Sequence, residues 1–165
     1  MPTRIFVNLP VKSLARSVAF FAHLGYGFDP HFTDENSTCM VVGDNIFVML
    51  LVEPFFQSFT PKPIADAHKT TEAIVCIAVE DRATVDSLVD KAIAAGALPG
   101  KTRDMGFMYQ RSYQDLDGHL WELLHMEQDE PRATNAVPAC ADLLERHAGP
   151  ARHGARSHRT PLAPN

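Results

Sequence analysis

The hydrophobic and polar positions of the first 127 residues predict one pattern of elements that occurs twice. In the first half, a helix is expected between Ser13, a helix-capping residue, and Gly25, which suits a left-handed helix end. Apolar and alternating runs around this helix predict strands at residues 4–11, about 26–32, about 38–42 and 46–52. The predicted order of the first half is therefore β-α-β-β-β.

The second half repeats that order. A strand at 74–79 leads into a helical stripe that ends at Gly96, and the further strands are predicted near 98–103, 107–115 and 119–125. Because an internal repeat decides the fold before local propensity does, we predict an α+β domain over residues 1–127. It consists of paired β-α-β-β-β modules, at about 3–53 and 70–127, joined by a Pro- and Phe-rich linker at 54–69.

Alignment of the two halves predicts four equivalent positions around a shared cavity. The strand that holds Phe6 aligns with the one that holds Ile74, and the strand that holds Met49 aligns with the one that holds Glu122. An approximate two-fold axis between the modules would bring these four side chains together. Asn8 lies on the same strand face as Phe6, where its amide could hydrogen-bond a ligand.

Glu122 is the ionisable residue among these four positions. Asp117 and Gly118 predict a two-residue hairpin turn. On the outgoing strand, Glu122 shares one face with Leu120 and Leu124. A carboxylate among apolar neighbours needs a cation or a donor, and Arg111 on the preceding strand is the predicted partner. Three aromatic residues lie on the same predicted strand face as Arg111 and could line an apolar pocket: Phe107, Tyr109 and Tyr113. Two interpretations stay open, a structural ion pair and a general acid or base that acts on a bound small molecule.

Composition narrows the classes of function. Hydrophobic residues make up 45% of the 165 residues, which is enough for a core, and a net charge of −5 argues against a nucleic-acid surface. No apolar run approaches the roughly 20 residues of a membrane-spanning helix, so we expect a cytoplasmic protein. Cys39 and Cys76 fall in predicted strands without a C-x-x-C pair and are expected to be reduced and buried. The Pro- and Arg-rich residues 128–165 are predicted to be a disordered tail.

Two stretches resemble the vicinal oxygen chelate superfamily, which includes glyoxalase I, the bleomycin-resistance proteins and extradiol dioxygenases. They are Val11 to Phe21 (VKSLARSVAFF) with Leu24 to Tyr26 (LGY), and Asp115 to Glu122 (DLDGHLWE). The resemblance covers roughly residues 3–127. It implies an incompletely closed eight-stranded sheet around a cup, and it implies a homodimer, for which an exposed Phe-rich linker would also fit as a contact.

The same resemblance implies where a metal would bind. Enzymes of this superfamily typically hold a divalent metal with His, Glu or Gln side chains, at positions that look like Phe6, Met49, Ile74 and Glu122 here. Only Glu122 supplies an oxygen donor, and about three donors are usual, so no cofactor is expected unless a divalent metal uses other residues. Two functions follow: a binding module for a small molecule, or a lyase (lactoylglutathione-lyase-like), isomerase or dioxygenase that depends on Glu122 or an unforeseen metal site.

Overall fold

The computed structural model describes residues 2–127, and the prediction for residues 128–165 lies outside that range. The elements of the first module are β1 Ile5–Val11, α1 Leu14–Leu24, β2 Gly27–Asp29, β3 Ser37–Gly43 and β4 Ile46–Val52. Those that follow are α2 Glu53–Gln57, β5 Ile74–Ala78, α3 Arg82–Ala94, β6 Leu98–Asp104, β7 Met108–Gln114 and β8 Leu120–Met126. The predicted second strand is shorter than expected, because Pro30 to Phe32 form a 3-10 turn, and the linker contains the short helix α2.

The strands form two separate four-stranded sheets with the same topology. The first sheet has the order β1-β4-β3-β2 and the second has the order β5-β8-β7-β6. In each sheet the opening strand pairs in parallel with the last strand of its module, and the other pairings are antiparallel. The predicted α+β class is confirmed, and the eight strands are not closed into a barrel.

Both long helices begin and end where the sequence indicates. The Ser13 hydroxyl accepts the amide of Arg16 at the start of α1, and Gly25 takes the left-handed conformation at its end, with φ 103°. Asp81 caps α3 by accepting the amide of Thr84 at 2.6 Å, and Gly96 is also left-handed. The buried face of α1 consists of Ser17, Phe20, Phe21 and Leu24.

One core joins the two modules through the helix-side faces of both sheets. From α1, the Phe21 ring lies 5.1 Å from the Trp121 ring, and the Phe20 ring lies 6.2 Å from the Tyr113 ring. Trp121 and Tyr113 belong to the second sheet, while Leu50 of the first sheet is part of the same buried cluster. The helix of the first module therefore packs on the sheet of the second.

The hairpin between β7 and β8 fixes the modules to each other. The Asp117 carboxylate accepts the Ser17 hydroxyl at 2.9 Å, the Arg16 guanidinium at 3.0 Å and the Lys12 amide at 3.1 Å, all from the first module. The Asp115 amide donates to the His119 carbonyl at 3.0 Å, so the connection has three residues and not the predicted two. The left-handed Gly118, with φ 96°, completes this turn.

None of the described helices is long and apolar enough to cross a membrane.

Candidate functional site

Each sheet has an outer face, defined here as the face opposite the shared core. Strand alternation and register place Phe6, Asn8, Phe47 and Met49 on the first outer face. They place Ile74, Cys76, Ser112, Leu120 and Glu122 on the second outer face. Large apolar side chains remain exposed there, since Phe6 is 45% exposed and Ile74 is 50% exposed. Such apolar surface is typical of interaction sites.

The second outer face contains a cleft of about 330 Å³. Its lining is largely apolar and consists of Ile74, Gly100, Lys101, Arg103, Gln110, Ser112, Leu120 and Glu122. Glu122 lies in the middle strand pair, next to Ser112 on β7 and Cys76 on β5. The cleft therefore combines an apolar floor with one carboxylate, and two cations from the edge strand β6.

The predicted pair of Arg111 and Glu122 is wrong. Arg111 pairs with Leu123 in the β7 and β8 ladder, whereas Ser112 pairs with Glu122, so Arg111 points to the helix side. There its guanidinium binds Asp86 at 2.8 Å and Asp90 at 2.9 Å, both on α3. Among the described residues, the Glu122 carboxylate has no hydrogen-bond or ion-pair partner.

The aromatic residues predicted to lie on the same strand face as Arg111 do not line a pocket on the outer face. Tyr113 is 1% exposed and belongs to the shared core, and burial raises its pKa far above the usual tyrosine value. The Tyr109 hydroxyl donates to Asp86 at 2.8 Å on the helix side, and this bond raises the pKa of Tyr109. Phe107 precedes β7 and is 57% exposed. Of the predicted pocket residues, Phe6, Asn8, Met49 and Ile74 lie on outer faces with Glu122.

The first outer face presents an aromatic platform. The Phe6 and Phe47 rings stack with centroids 4.9 Å apart and planes 16° from parallel, and the Arg4 guanidinium lies 6.0 Å from the Phe47 ring. Asn8 is exposed beside this stack and Met49 is half-buried. A planar ligand could stack on such a surface.

The two outer faces do not meet within one chain. Every residue that lines the Glu122 cleft comes from the second module, although the sequence predicts one shared cavity around Phe6, Met49, Ile74 and Glu122. The cause is the shared core: both sheets pack their helix-side faces together, which turns the outer faces away from it. The described residues of the second module thus form the Glu122 cleft without Phe6 or Met49.

Cys76 is exposed, which contradicts the prediction that it is buried. It lies on the open outer face as the strand-pairing partner of Glu122. Partial desolvation by the neighbouring side chains, together with the Glu122 charge, raises the pKa of its thiol. Cys39 is 1% exposed as predicted, and burial raises its pKa as well. The two thiols differ in access, so one reports on the outer face and the other serves as a buried reference.

A β-bulge at the edge of the cleft was missed by sequence reasoning. The register of β6 against β7 shifts between Pro99 and Thr102, and the Ser112 hydroxyl accepts the Lys101 amide at 2.8 Å. A Cβ on Gly100 would lie 2.3 Å from the Ser112 hydroxyl oxygen. The Pro99-Gly100 dipeptide was the available signal, because Gly within a strand indicates a bulge or a close approach.

A second cleft, of about 280 Å³, lies between the linker and the hairpin. Two of its carboxylates are engaged: Asp117 binds Arg16, and Asp66 binds Lys69 at 2.9 Å, whereas Lys12 and Glu53 form no ion pair with a described residue. The His119 ring nitrogen Nε2 contacts the Pro10 carbonyl oxygen at 2.8 Å. The Asp117 and His119 contacts connect the two modules and give this cleft a structural role, so we take the Glu122 cleft as the candidate site.

The residues do not fit the divalent metal that the resemblance implies. At the four implied positions, only Glu122 offers a hard oxygen donor, Met49 offers a weak thioether, and Phe6 and Ile74 offer none. Over residues 2–127, no three His, Cys, Asp or Glu side chains form a group that could hold a metal ion.

The fold and the repeated modules define the class of protein: the chain has the vicinal oxygen chelate fold, and the predicted resemblance is confirmed. Residues 3–43 match a family model described as bleomycin resistance protein-like N-terminal. No curated protein matches this sequence.

Similar solved structures cover most of the chain. Hypothetical protein SA1046 from S. aureus is 24% identical with a TM-score of 0.65, covering 76% of this chain and 94% of that one. A glyoxalase/bleomycin resistance protein/dioxygenase family enzyme from Burkholderia phytofirmans is 16% identical with a TM-score of 0.62, and the match covers 74% of this chain and 97% of that one. The fosfomycin resistance protein FosX from Listeria monocytogenes is 14% identical with a TM-score of 0.57, covering 78% and 96%. At these identities the likeness establishes the fold.

Proposed function

We propose that this protein is a binding module that holds a small molecule in the Glu122 cleft without a bound metal. The observation that carries the proposal is an unpartnered carboxylate in a largely apolar cleft of about 330 Å³. Ligand sites are commonly apolar concavities with a few polar groups that orient the ligand. The Glu122 carboxylate is half-buried and has no protein partner among the described residues, so it is free to accept a hydrogen bond or an ion pair from a ligand.

A fragment screen by ligand-observed NMR tests the proposal. Ile74→Trp fills the cleft, and because Ile74 is 50% exposed the larger side chain should be tolerated. Ile46→Trp is the matched control, since Ile46 is 48% exposed but belongs to the first sheet. We expect aromatic fragments to bind the wild type and the control but not Ile74→Trp. Fragments that bind all three equally, or none that bind the wild type, would contradict the proposal.

We further propose that the working unit is a homodimer in which outer faces from two copies enclose the ligand. The Glu122 cleft within one chain is lined by the second module alone, and a second copy would place the Phe6 platform opposite Glu122. Pairing would also remove from water the exposed Phe6, Ile74 and Leu98 side chains.

Sedimentation velocity tests this arrangement. Phe6→Lys places a charge on the first outer face and should convert dimer to monomer. Phe59→Lys is the matched control, because Phe59 is 67% exposed but lies in the linker after α2 and not on an outer face. The same variant tests whether the Phe-rich linker forms the contact between subunits. A dimer that survives Phe6→Lys and is lost in Phe59→Lys would reject pairing through the outer faces.

General acid or base chemistry by Glu122 is the second candidate function. It is favoured by the same lack of a partner, because a catalytic carboxylate must be free to exchange a proton with a ligand. Binding and turnover separate the two functions: Glu122→Gln keeps the shape of the side chain and removes the ionisable group. A ligand that binds the variant but is converted only by the wild type would make the protein an enzyme.

A further inference from the structure

The Glu122 cleft contains charges of both signs that do not neutralise one another. Glu122 lies on β8, while Lys101 and Arg103 lie on the edge strand β6. None of these three side chains forms an ion pair with any described residue. Neighbouring strands are about 4.8 Å apart, so β8 and β6, with β7 between them, separate the backbones of Glu122 and Lys101 by about 10 Å.

The β-bulge places the cations. Without the extra residue between Pro99 and Thr102, the register set by Pro99 and Tyr113 would place Lys101 opposite Arg111 and turn Lys101 and Arg103 to the helix side. The bulge instead turns both side chains to the outer face. Ser112, which holds the bulge through the Lys101 amide, is also the direct neighbour of Glu122. The separation between the negative and the positive side of the cleft is thus fixed by backbone hydrogen bonds.

Two further charged groups belong to the first outer face, and neither forms an ion pair with a described residue. Arg4 lies over the Phe47 ring, and the Asp29 carboxylate accepts the His31 amide at 2.9 Å. Arg4 and Asp29 carry opposite charges, so a second copy that covers the cleft would bring no net charge from these two positions.

We propose that the cleft takes a small zwitterionic molecule with an apolar body, a cationic group that binds Glu122, and an anionic group that binds Lys101 and Arg103. This inference rests on the proposed function and adds the chemical class of the ligand. The apolar body fits the floor formed by Ile74 and Leu120. Opposite charges at the two ends of one small body match the two sides of the cleft.

Four para-substituted benzene probes of similar size that carry both charges, one charge or none test the ligand class. They are para-(aminomethyl)benzoic acid, para-methylbenzylamine, para-methylbenzoic acid and para-methylbenzyl alcohol, each titrated into the full chain and followed by amide NMR of β8. We expect the zwitterion to bind about fivefold more tightly than either singly charged probe, because an exposed charge pair contributes up to about that factor.

Variants assign each end of the probe. Lys101→Gln combined with Arg103→Gln should make the zwitterion bind no better than the amine, and Glu122→Gln should make it bind no better than the acid. Lys91→Ala is the control, because Lys91 is exposed on α3, which packs on the other side of the second sheet. This control should retain the full preference for the zwitterion.

The failures of the two proposals are distinguishable. If the neutral alcohol binds in the cleft as tightly as the zwitterion, the ligand class is wrong while the cleft remains a binding site. If the zwitterion is preferred but Lys91→Ala removes the preference as fully as the double variant, recognition by Lys101 and Arg103 is wrong. If no probe shifts β8 and the fragment screen also finds no binder, the proposed function fails with the inference.

Discussion

Gly118 shows how one residue sets the geometry of the candidate site. Its φ of 96° closes the three-residue turn, and a Cβ there would lie 2.7 Å from the His68 amide nitrogen of the linker. The Asp115 carboxylate stabilises the same turn by accepting the Asp117 and His119 amides and, at 2.9 Å, the Trp121 indole N–H. The turn determines which face of β8 presents Glu122.

A left-handed backbone costs a residue with a Cβ about 1–2 kcal/mol. Gly118→Ala should lower the free energy of unfolding by more than this, because its Cβ would also clash with the linker. Gly106→Ala is the matched control: Gly106 has φ 80°, but a Cβ there meets no atom within 4 Å. Denaturant unfolding of both variants measures the difference. Equal losses would show that the linker yields and that its approach to Gly118 is unimportant.

At the scale of elements, the strands and helices were predictable, but the register between two strands was not. A two-residue turn at Asp117 and Gly118 would pair Tyr113 with Glu122 and place Arg111 on the Glu122 side. The three-residue turn pairs Ser112 with Glu122 instead. A slip of one residue reverses every side chain of a strand, so this single difference moved Arg111, Tyr109 and Tyr113 to the helix side.

Arg111 should stabilise the protein by joining α3 to the second sheet. Arg111→Met keeps an apolar stem but removes the ion pairs to Asp86 and Asp90, and because both carboxylates are largely exposed we expect a loss of only about 1 kcal/mol. Arg103→Met is the control, since Arg103 is exposed and has no ion pair with any described residue. Chemical unfolding at neutral pH measures both, and a loss in the control equal to that in Arg111→Met would contradict this assignment.

The stabilisation by Arg111 should depend on pH. The hydrogen bond from Arg111 holds the pKa of Asp86 below its usual value, so folding favours the ionised carboxylate. The stabilisation is therefore present above the unfolded pKa of about 4 and is lost as pH falls through the lower folded pKa. Wild type and Arg111→Met should converge in stability in that acidic range, and a constant difference across it would contradict the assignment.

At the scale of the whole molecule, the internal repeat predicted the modules, but the way the modules pack was not available from it. Pattern alone placed Phe6, Met49, Ile74 and Glu122 at equivalent positions, and all four do lie on outer faces. Phe20 and Phe21 pack against Tyr113 and Trp121 of the other module, and the Glu122 cleft is lined by the second module alone. A repeat states which residues are equivalent, whereas contacts between modules depend on packing of particular side chains.

The donor count predicts that the protein will not hold a stoichiometric metal at Glu122. After dialysis against zinc, nickel, manganese or ferrous iron, we expect well under one equivalent that depends on Glu122, because about three protein donors are usual. Elemental analysis of the wild type and of Glu122→Gln separates this site from histidines elsewhere in the chain. A stoichiometric ion that the variant loses would make a metal-dependent lyase or dioxygenase the leading function.

The central claim is that the outer face around Glu122 is the functional surface and is covered by a second copy. Cys76 reports on it directly, because this exposed thiol lies opposite Glu122, while the buried Cys39 is an internal reference. The measurement is the rate of maleimide modification of each thiol, resolved by peptide mass spectrometry over a dilution series. The account predicts that Cys76, although its raised pKa lowers its thiolate fraction, reacts faster than the buried Cys39 in dilute protein and slows at concentrations where dimers form, with Cys39 slow throughout. A Cys76 rate that stays the same while sedimentation shows dimers would contradict it.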